Sequence, residues 1–206
     1  MAAYSAEMSD QEMFTGLDGL MLAEAFSLDH RYAALSAGEA VAHLLAPEQR
    51  TERFAVQAEG QRVLLPARLH FVSSDLHLIE GNQAWLLARA LQTRSNDDFE
   101  RQRAARDVMA NLRPCTTPFI IALMGEYIVE ILDDIAVALT PQNARMLAAF
   151  IDENRPYWDK TKRRIESYWN EYYRSGRGDT RRAFRRDEYI GFKLIERLEM
   201  ASSAST

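Results

Sequence analysis

The sequence has few of the residues that stabilise secreted or metal-bound small domains. It contains one cysteine among 206 residues, so no disulfide can form within the chain and a secreted disulfide scaffold is excluded. A zinc-finger or zinc-ribbon cluster is excluded as well, and the four histidines form no pair with metal-ligand spacing. We therefore predict no metal site and no cofactor. Cys115, which lies between two prolines, is predicted to be a small buried residue.

The chain also lacks an uncharged hydrophobic run long enough to cross a membrane. Its most apolar stretch, residues 119–139, contains four acidic residues, each of which would cost roughly 2 to 3 kcal/mol in mid-bilayer. The first ten residues carry acidic side chains where a secretory signal peptide needs basic ones. These features predict a cytoplasmic protein without a membrane span.

Motifs that mark common enzyme classes are missing too. The sequence contains no P-loop, no Gly-x-Gly-x-x-Gly fingerprint and no Gly-x-Ser-x-Gly nucleophile elbow. This favours a non-catalytic protein over an enzyme.

The residues that are present predict a mainly α-helical fold. The hydrophobic fraction is 47% and the charged fraction 27%, which is ordinary for a globular domain. Apolar residues alternate on both sides of Glu59–Gly60, a pattern that predicts one small β-hairpin near residues 53–72. Residues 76–79 could add a third strand. With helical periodicity elsewhere, we predict a bundle of about six to eight helices.

Proline and glycine divide the second half of the chain into helices. Thr117–Pro118 and Thr140–Pro141 each combine an N-cap residue with proline at the first helical position. Between them the spacing predicts one long helix over residues 118–139. Two further helices are predicted on either side of the glycines at 176 and 178.

Charge separates an acidic body from a basic end. Residues 1–154 carry 12 basic and 22 acidic side chains, whereas residues 155–197 carry 13 basic and 7 acidic ones. We predict a flexible tail over 1–14, an acidic helical body over 15–154 that includes the hairpin, a basic aromatic helical hairpin over 155–200 that packs on the body or extends from it, and a second flexible tail over 201–206.

Three carboxylates share one face of the predicted helix 118–139. At 100° per residue, Glu126, Glu130 and Asp133 lie within about 60° of one another. Because the rest of this helix is apolar, we expect them to be buried in an ion network with arginines of the preceding helix, such as Arg106. The alternative is an enzyme that uses these acids as its catalytic site.

The basic aromatic end is the predicted interaction surface. Aromatic and aliphatic residues recur there on one helical face, next to clusters of basic residues. The surface comprises Trp158, Lys162, Arg163, Ile165, Trp169, Tyr172, Arg181, Arg182, Arg185 and Arg186. We expect an interaction or adaptor protein that binds a protein partner or self-associates as a homo-oligomer.

Nucleic acid is the alternative partner for the same end of the chain. Arginine and lysine neutralise phosphates, and tyrosine and tryptophan stack on bases. The residues that would serve are Lys160, Lys162, Arg163, Arg164, Arg181, Arg182, Arg185 and Arg186. The acidic overall composition, with a pI near 5.5, opposes this hypothesis.

Overall fold

The computed structural model describes residues 12–15, 17–47, 49–175 and 183–203, which fold mainly as α-helices. The predicted fold class, a helical bundle with a small β-hairpin, is confirmed. In chain order the elements are β1 (Glu12–Thr15), α1 (Gly19–Ala23), α2 (Arg31–Ala42), β2 (Arg50–Ala58), β3 (Gln61–Pro66), α3 (Gln83–Gln92), α4 (Asp98–Ala110), α5 (Thr117–Met124), α6 (Val129–Ala138), α7 (Pro141–Glu153), α8 (Arg155–Tyr168) and α9 (Ile190–Ser203). Buried apolar residues of β2, β3 and the helices α1 to α9 share one hydrophobic core.

The hairpin belongs to a three-stranded antiparallel sheet in the order β1-β2-β3. Its two strands pair from Arg53 opposite Pro66 to Ala58 opposite Gln61, and Pro66 ends an edge strand, where proline is tolerated. The third strand is β1, not residues 76–79, which form no strand. The predicted tail therefore includes a strand at residues 12–15, while residues 1–11 lie outside the described part of the chain.

The predicted long helix over 118–139 is wrong, because the chain breaks into α5 and α6. Every residue of α5 is buried, as expected for a helix that is apolar on all sides. Gly125 ends α5, and Ile128 has an extended backbone conformation. The hydroxyl of Tyr173 donates a hydrogen bond to the carbonyl of Tyr127, which satisfies one backbone group in the break. Glu126 thus lies in a connection between helices.

The basic end packs on the body. α8 contacts α5 and continues as a π-helical turn over Trp169–Tyr173, and α9 contacts α6 and α7. The last helix begins at Ile190, and the residues before it, 183–189, are not helical and include a turn at 186–188. Residues 176–182 and 204–206 lie outside the described residues. None of the described helices combines the length and the hydropathy that a membrane span requires.

Candidate anion-binding cleft

A cleft of about 440 Å³ lies between the open end of the hairpin and α8. The sheet supplies one wall, α8 supplies the opposite wall, and the ends of α3 and α5 form the floor. Its lining residues are Glu52, Phe54, Ala55, Ala67, Arg68, Arg94, Ala122, Gly125, Glu126, Tyr157, Lys160, Arg164 and Tyr168. A hollow of this volume is within the range of small-molecule sites.

The floor of the cleft holds one carboxylate among three arginines. Arg94 Nη1 lies 3.1 Å from Glu126 Oε1, and Arg68 Nη2 lies 3.3 Å from the same oxygen. Arg101 Nε lies 3.0 Å from Glu126 Oε2, although its N–H is not aligned for a hydrogen bond. Arg94, Arg101 and Glu126 are all buried, at 5%, 2% and 7% exposure. Since glycine ends α5 directly before Glu126, this carboxylate can turn inward to meet them.

Backbone carbonyls accept further hydrogen bonds from two of these arginines. Arg94 Nε donates to the carbonyl of Pro66 (3.2 Å) and Arg94 Nη2 to that of Ala67 (2.6 Å). Arg101 Nη1 donates to the carbonyl of Ser95 (2.7 Å). Carbonyls satisfy the donors without neutralising the charge. Burial is the largest influence on the pKa of Arg94 and lowers it, while Glu126 opposes that shift.

In a second ion-pair network of this protein, the numbers of arginines and carboxylates are equal. Arg89 on α3 pairs with Glu100 and with Asp107, each at 2.7 Å, and Arg103 also contacts Glu100. Two carboxylates there serve two arginines. In the cleft Glu126 serves three arginines, while the half-exposed Asp98 also pairs with Arg101, and the exposed Glu52 is the second acid of the lining. The cleft lining therefore has four cationic side chains, Arg68, Arg94, Lys160 and Arg164, against two acidic ones, which is an excess of positive charge.

The α8 wall adds two more cations and two phenols. Tyr157, Lys160, Arg164 and Tyr168 follow one another at spacings of three and four residues, so they share one helix face. Burial raises the pKa of Tyr157 to about 12, against the opposing effect of Arg94 and Arg164, so its hydroxyl stays protonated at neutral pH. The Tyr157 ring stacks on Phe54, with 5.3 Å between centroids. The cleft thus offers cationic, hydroxyl and aromatic contacts.

The apolar part of the predicted interaction surface lies inside the protein. Trp158, Ile165 and Trp169 are buried, which is the ordinary fate of an aromatic stripe at helical spacing. Trp169 donates to the carbonyl of Phe184 (2.9 Å), and Tyr172 packs against Tyr127. These side chains join α8 to the rest of the molecule.

Several basic members of that surface pair with acids of the same chain. Lys162 lies 3.1 Å from Asp159 and 2.8 Å from Glu199. Arg186 lies 2.6 Å from Glu166. Arg185 likewise pairs with Asp187 and Glu188, and Arg163 is exposed on α8. Arg181 and Arg182 lie outside the described residues.

The predicted acidic stripe does not form one site. Only Glu126 is buried with arginines, and Glu130 and Asp133 are exposed on α6. Arg106 pairs at the surface with Asp134 (2.8 Å), not with Glu126. The break at Gly125 is the physical reason, because it removes Glu126 from the helix that carries the other acids.

Comparisons with known proteins give no information about this cleft. No family model, curated protein or solved structure matches the chain. The candidate site therefore depends on its own geometry. Lys160, Arg164 and Glu126 could be singled out from the sequence, but Arg68 and Arg94 could not, because they lie just after β3 and α3 and far from α8 in the chain.

Proposed function

We propose that this protein is a non-catalytic binding protein whose ligand carries a phosphate group into the cleft. The observation that carries the proposal is the arrangement of Arg68, Arg94 and Arg101 around the single carboxylate of Glu126. A buried excess of positive charge is unfavourable unless an anion shares it. Binding an anion in the cleft would supply the missing negative charge.

Phosphate suits these donors better than carboxylate does. The cationic groups approach from a strand end, from the end of α3 and from α8, hence from several directions. A phosphate group carries a larger negative charge than a carboxylate and has three terminal oxygens in a tetrahedral arrangement, so it can accept hydrogen bonds from cationic groups that approach from several directions. Phe54, Tyr157 and Tyr168 add aromatic surface for a ring attached to the phosphate. We therefore favour a small phosphorylated molecule with an aromatic part.

This function keeps the non-catalytic class that the sequence predicts, but it replaces the predicted protein partner by a small ligand and moves the contact surface. The aromatic stripe of α8 is buried and cannot serve as an exposed docking face, but Lys160 and Arg164 of the same helix face the cleft. A cytoplasmic location, in keeping with the single cysteine, remains part of the proposal. Self-association remains a separate prediction.

Titration calorimetry of the full chain with inorganic pyrophosphate, ATP and citrate tests this function. We expect the phosphate compounds to bind more tightly than citrate. Removing one charge-assisted contact, in Lys160→Gln or Arg164→Gln, should weaken binding by about tenfold. Arg163→Gln is the matched control, since Arg163 is exposed on the same helix and does not line the cleft. Absence of binding by all three compounds, or equal losses in Arg163→Gln and Arg164→Gln, would contradict the proposal.

A nucleic-acid partner is a second candidate, supported by one observation. Lys160 and Arg164 belong to the predicted nucleic-acid set and lie in the cleft beside Tyr168, on which a base could stack. Mixed-sequence single- and double-stranded oligonucleotides titrated in salt distinguish this candidate. Binding that weakens steeply with salt and is lost when Arg181, Arg182, Arg185 and Arg186 become serine would favour it. Pyrophosphate binding without oligonucleotide binding would favour the small ligand.

A further inference from the structure

Three side chains with metal-ligating atoms meet at the turn of the hairpin, away from the cleft. His30 comes from a short 3-10 turn before α2, Glu59 from the turn between β2 and β3, and Cys115 from the 3-10 turn that leads into α5. They are far apart in the sequence, so the fold brings them together. An imidazole nitrogen, a carboxylate oxygen and a thiol sulfur are the ligand types that zinc accepts.

The distances approach those of a tetrahedral site. One ligand atom from each of the three residues can be chosen so that all lie within 4.8 Å of one another, and His30 Nε2 lies 2.9 Å from Glu59 Oε2. Bond lengths of 2.0–2.3 Å at tetrahedral angles place ligand atoms about 3.3–3.7 Å apart. Side-chain rotations that move these atoms by about 1 Å would therefore complete the geometry.

Neighbouring side chains hold two of the three groups in place. The Gln83 amide donates to His30 Nδ1 (2.7 Å), and the Ser27 hydroxyl donates to Glu59 Oε2 (2.9 Å). A metal-bound histidine needs a partner for its second ring nitrogen. The Gln83 amide can serve in either state, because rotation by 180° presents its carbonyl to an Nδ1–H in place of its N–H.

A pocket of about 330 Å³ adjoins the three ligands. Asn82 and Trp85 of the α3 end and Asn111 and Arg113 before Cys115 line it with them. Space beside three protein ligands is what a site needs to admit water or an exogenous group as fourth ligand. A thiolate and a carboxylate together neutralise a divalent cation, which makes its presence beside Arg113 tolerable.

We propose that His30, Glu59 and Cys115 bind a thiophilic divalent cation, with zinc as the preferred ion. The fourth ligand is water or an exogenous group in the adjoining pocket. The site goes beyond the phosphate-binding function and shares no residue with the cleft. The sequence alone predicts no metal site, because the ligands follow no spacing motif and meet only in the folded chain.

Cobalt(II) and zinc(II) titrations of the full chain, after treatment with a chelator, test the proposal. We expect one equivalent of metal per chain by calorimetry, and a thiolate-to-cobalt charge-transfer band in the absorption spectrum. Cys115→Ser should abolish the band, and both Cys115→Ser and His30→Asn should weaken binding by at least about 100-fold. Gln83→Met should weaken binding by about tenfold, since it removes only the partner of His30.

His43→Asn is the matched control, because His43 is an exposed histidine just after α2 and lies outside the cluster. It should bind both metals like the wild type. His30 is only partly buried, so His30→Asn is expected to fold even if Cys115→Ser does not, and circular dichroism checks each variant. The proposal is overturned if the wild type binds no stoichiometric metal, or if His30→Asn and His43→Asn bind cobalt equally well.

Discussion

At its open end the β-hairpin borders the cationic cleft, whereas at its turn it holds Glu59 beside His30 and Cys115. The cleft is assembled from arginine, an abundant residue in this chain, and its charge is stabilised by backbone carbonyls and one carboxylate. The turn cluster combines the only cysteine with one of four histidines. The comparison shows that one small hairpin can border a cluster of cationic side chains at one end and a set of metal-ligating side chains at the other.

Removing the single carboxylate of the cleft floor should have the largest effect. Glu126→Gln leaves three arginines around a neutral amide, and deleting one partner of a buried ion pair costs about 3–5 kcal/mol. We expect the free energy of unfolding, measured with urea, to fall by that amount. Glu130→Gln is the matched control on the exposed face of α6 and should change it by less than about 0.5 kcal/mol.

Equal effects of the two substitutions would mean that Glu126 contributes no more than a surface acid. The cleft would then be as tolerant of charge loss as the molecular surface, and the argument for a buried excess of positive charge would fail.

The helices and the hairpin could be predicted from local patterns, because capping residues and apolar periodicity act over a few residues. Thr140 is an example, since its hydroxyl accepts a hydrogen bond from the backbone N–H of Asn143 as the Thr–Pro pair predicts. The break at Gly125 could not be predicted in this way. It depends on Arg94 and Arg101 binding Glu126 and on Tyr173 binding the carbonyl of Tyr127, and these contacts exist only in the folded chain.

The candidate sites were less visible in the sequence than the fold. Amphipathic spacing singled out α8, but it could not tell that Trp158 faces the core while Lys160 and Arg164 face a cleft. The opposite wall of that cleft comes from the hairpin, and no local pattern relates two segments so far apart. Likewise, His30, Glu59 and Cys115 come from three turns, which periodicity does not describe.

Alkaline pH should lower the free energy of unfolding through the buried hydroxyl of Tyr157 in the cleft. The pKa of Tyr157 is raised by burial from 10.0 to about 12, so the folded chain holds this proton more tightly than the unfolded chain does. Its contribution to stability is complete below pH 10 and is lost as the pH rises towards 12. Between pH 8 and pH 11 we expect the free energy of unfolding of the wild type to fall by about 1 kcal/mol more than that of Tyr157→Phe.

Urea titrations of both proteins at the two pH values make this measurement, and Tyr157→Phe cancels the contribution of all other titrating groups. Parallel losses in the two proteins would show that burial does not hold the Tyr157 hydroxyl in its protonated form.

At the turn, we expect the side chain of Glu59 to contribute to metal binding and not to the free energy of unfolding. Glu59 has a φ of 54°, in the left-handed region that asparagine and glycine adopt more easily. Its hydrogen bonds to His30 and Ser27 are partly exposed and contribute little. Glu59→Asn should therefore raise the free energy of unfolding by about 0.5 kcal/mol while it abolishes cobalt binding.

Thermal unfolding of metal-free protein measures the first effect, and absorption spectroscopy with cobalt measures the second. A clear loss of stability in Glu59→Asn would instead assign Glu59 a structural role at the turn, and unchanged cobalt binding would remove it from the ligand set.

The smallest expected effect is the influence of one end of the hairpin on the other. Glu52 lies on β2 and Glu59 in the turn that follows this strand. The six residue steps from Glu52 to Ala58 alone correspond to about 20 Å, which is well beyond the roughly 8 Å over which charges act at physiological salt. Cys115→Ser should therefore change the affinity for pyrophosphate by less than about twofold, and Arg164→Gln should leave cobalt binding unchanged to the same degree. Calorimetry of each variant with each ligand gives the four affinities. A tenfold loss of pyrophosphate binding in Cys115→Ser would show that the hairpin couples its two ends, so that the cation and the anion regulate one another.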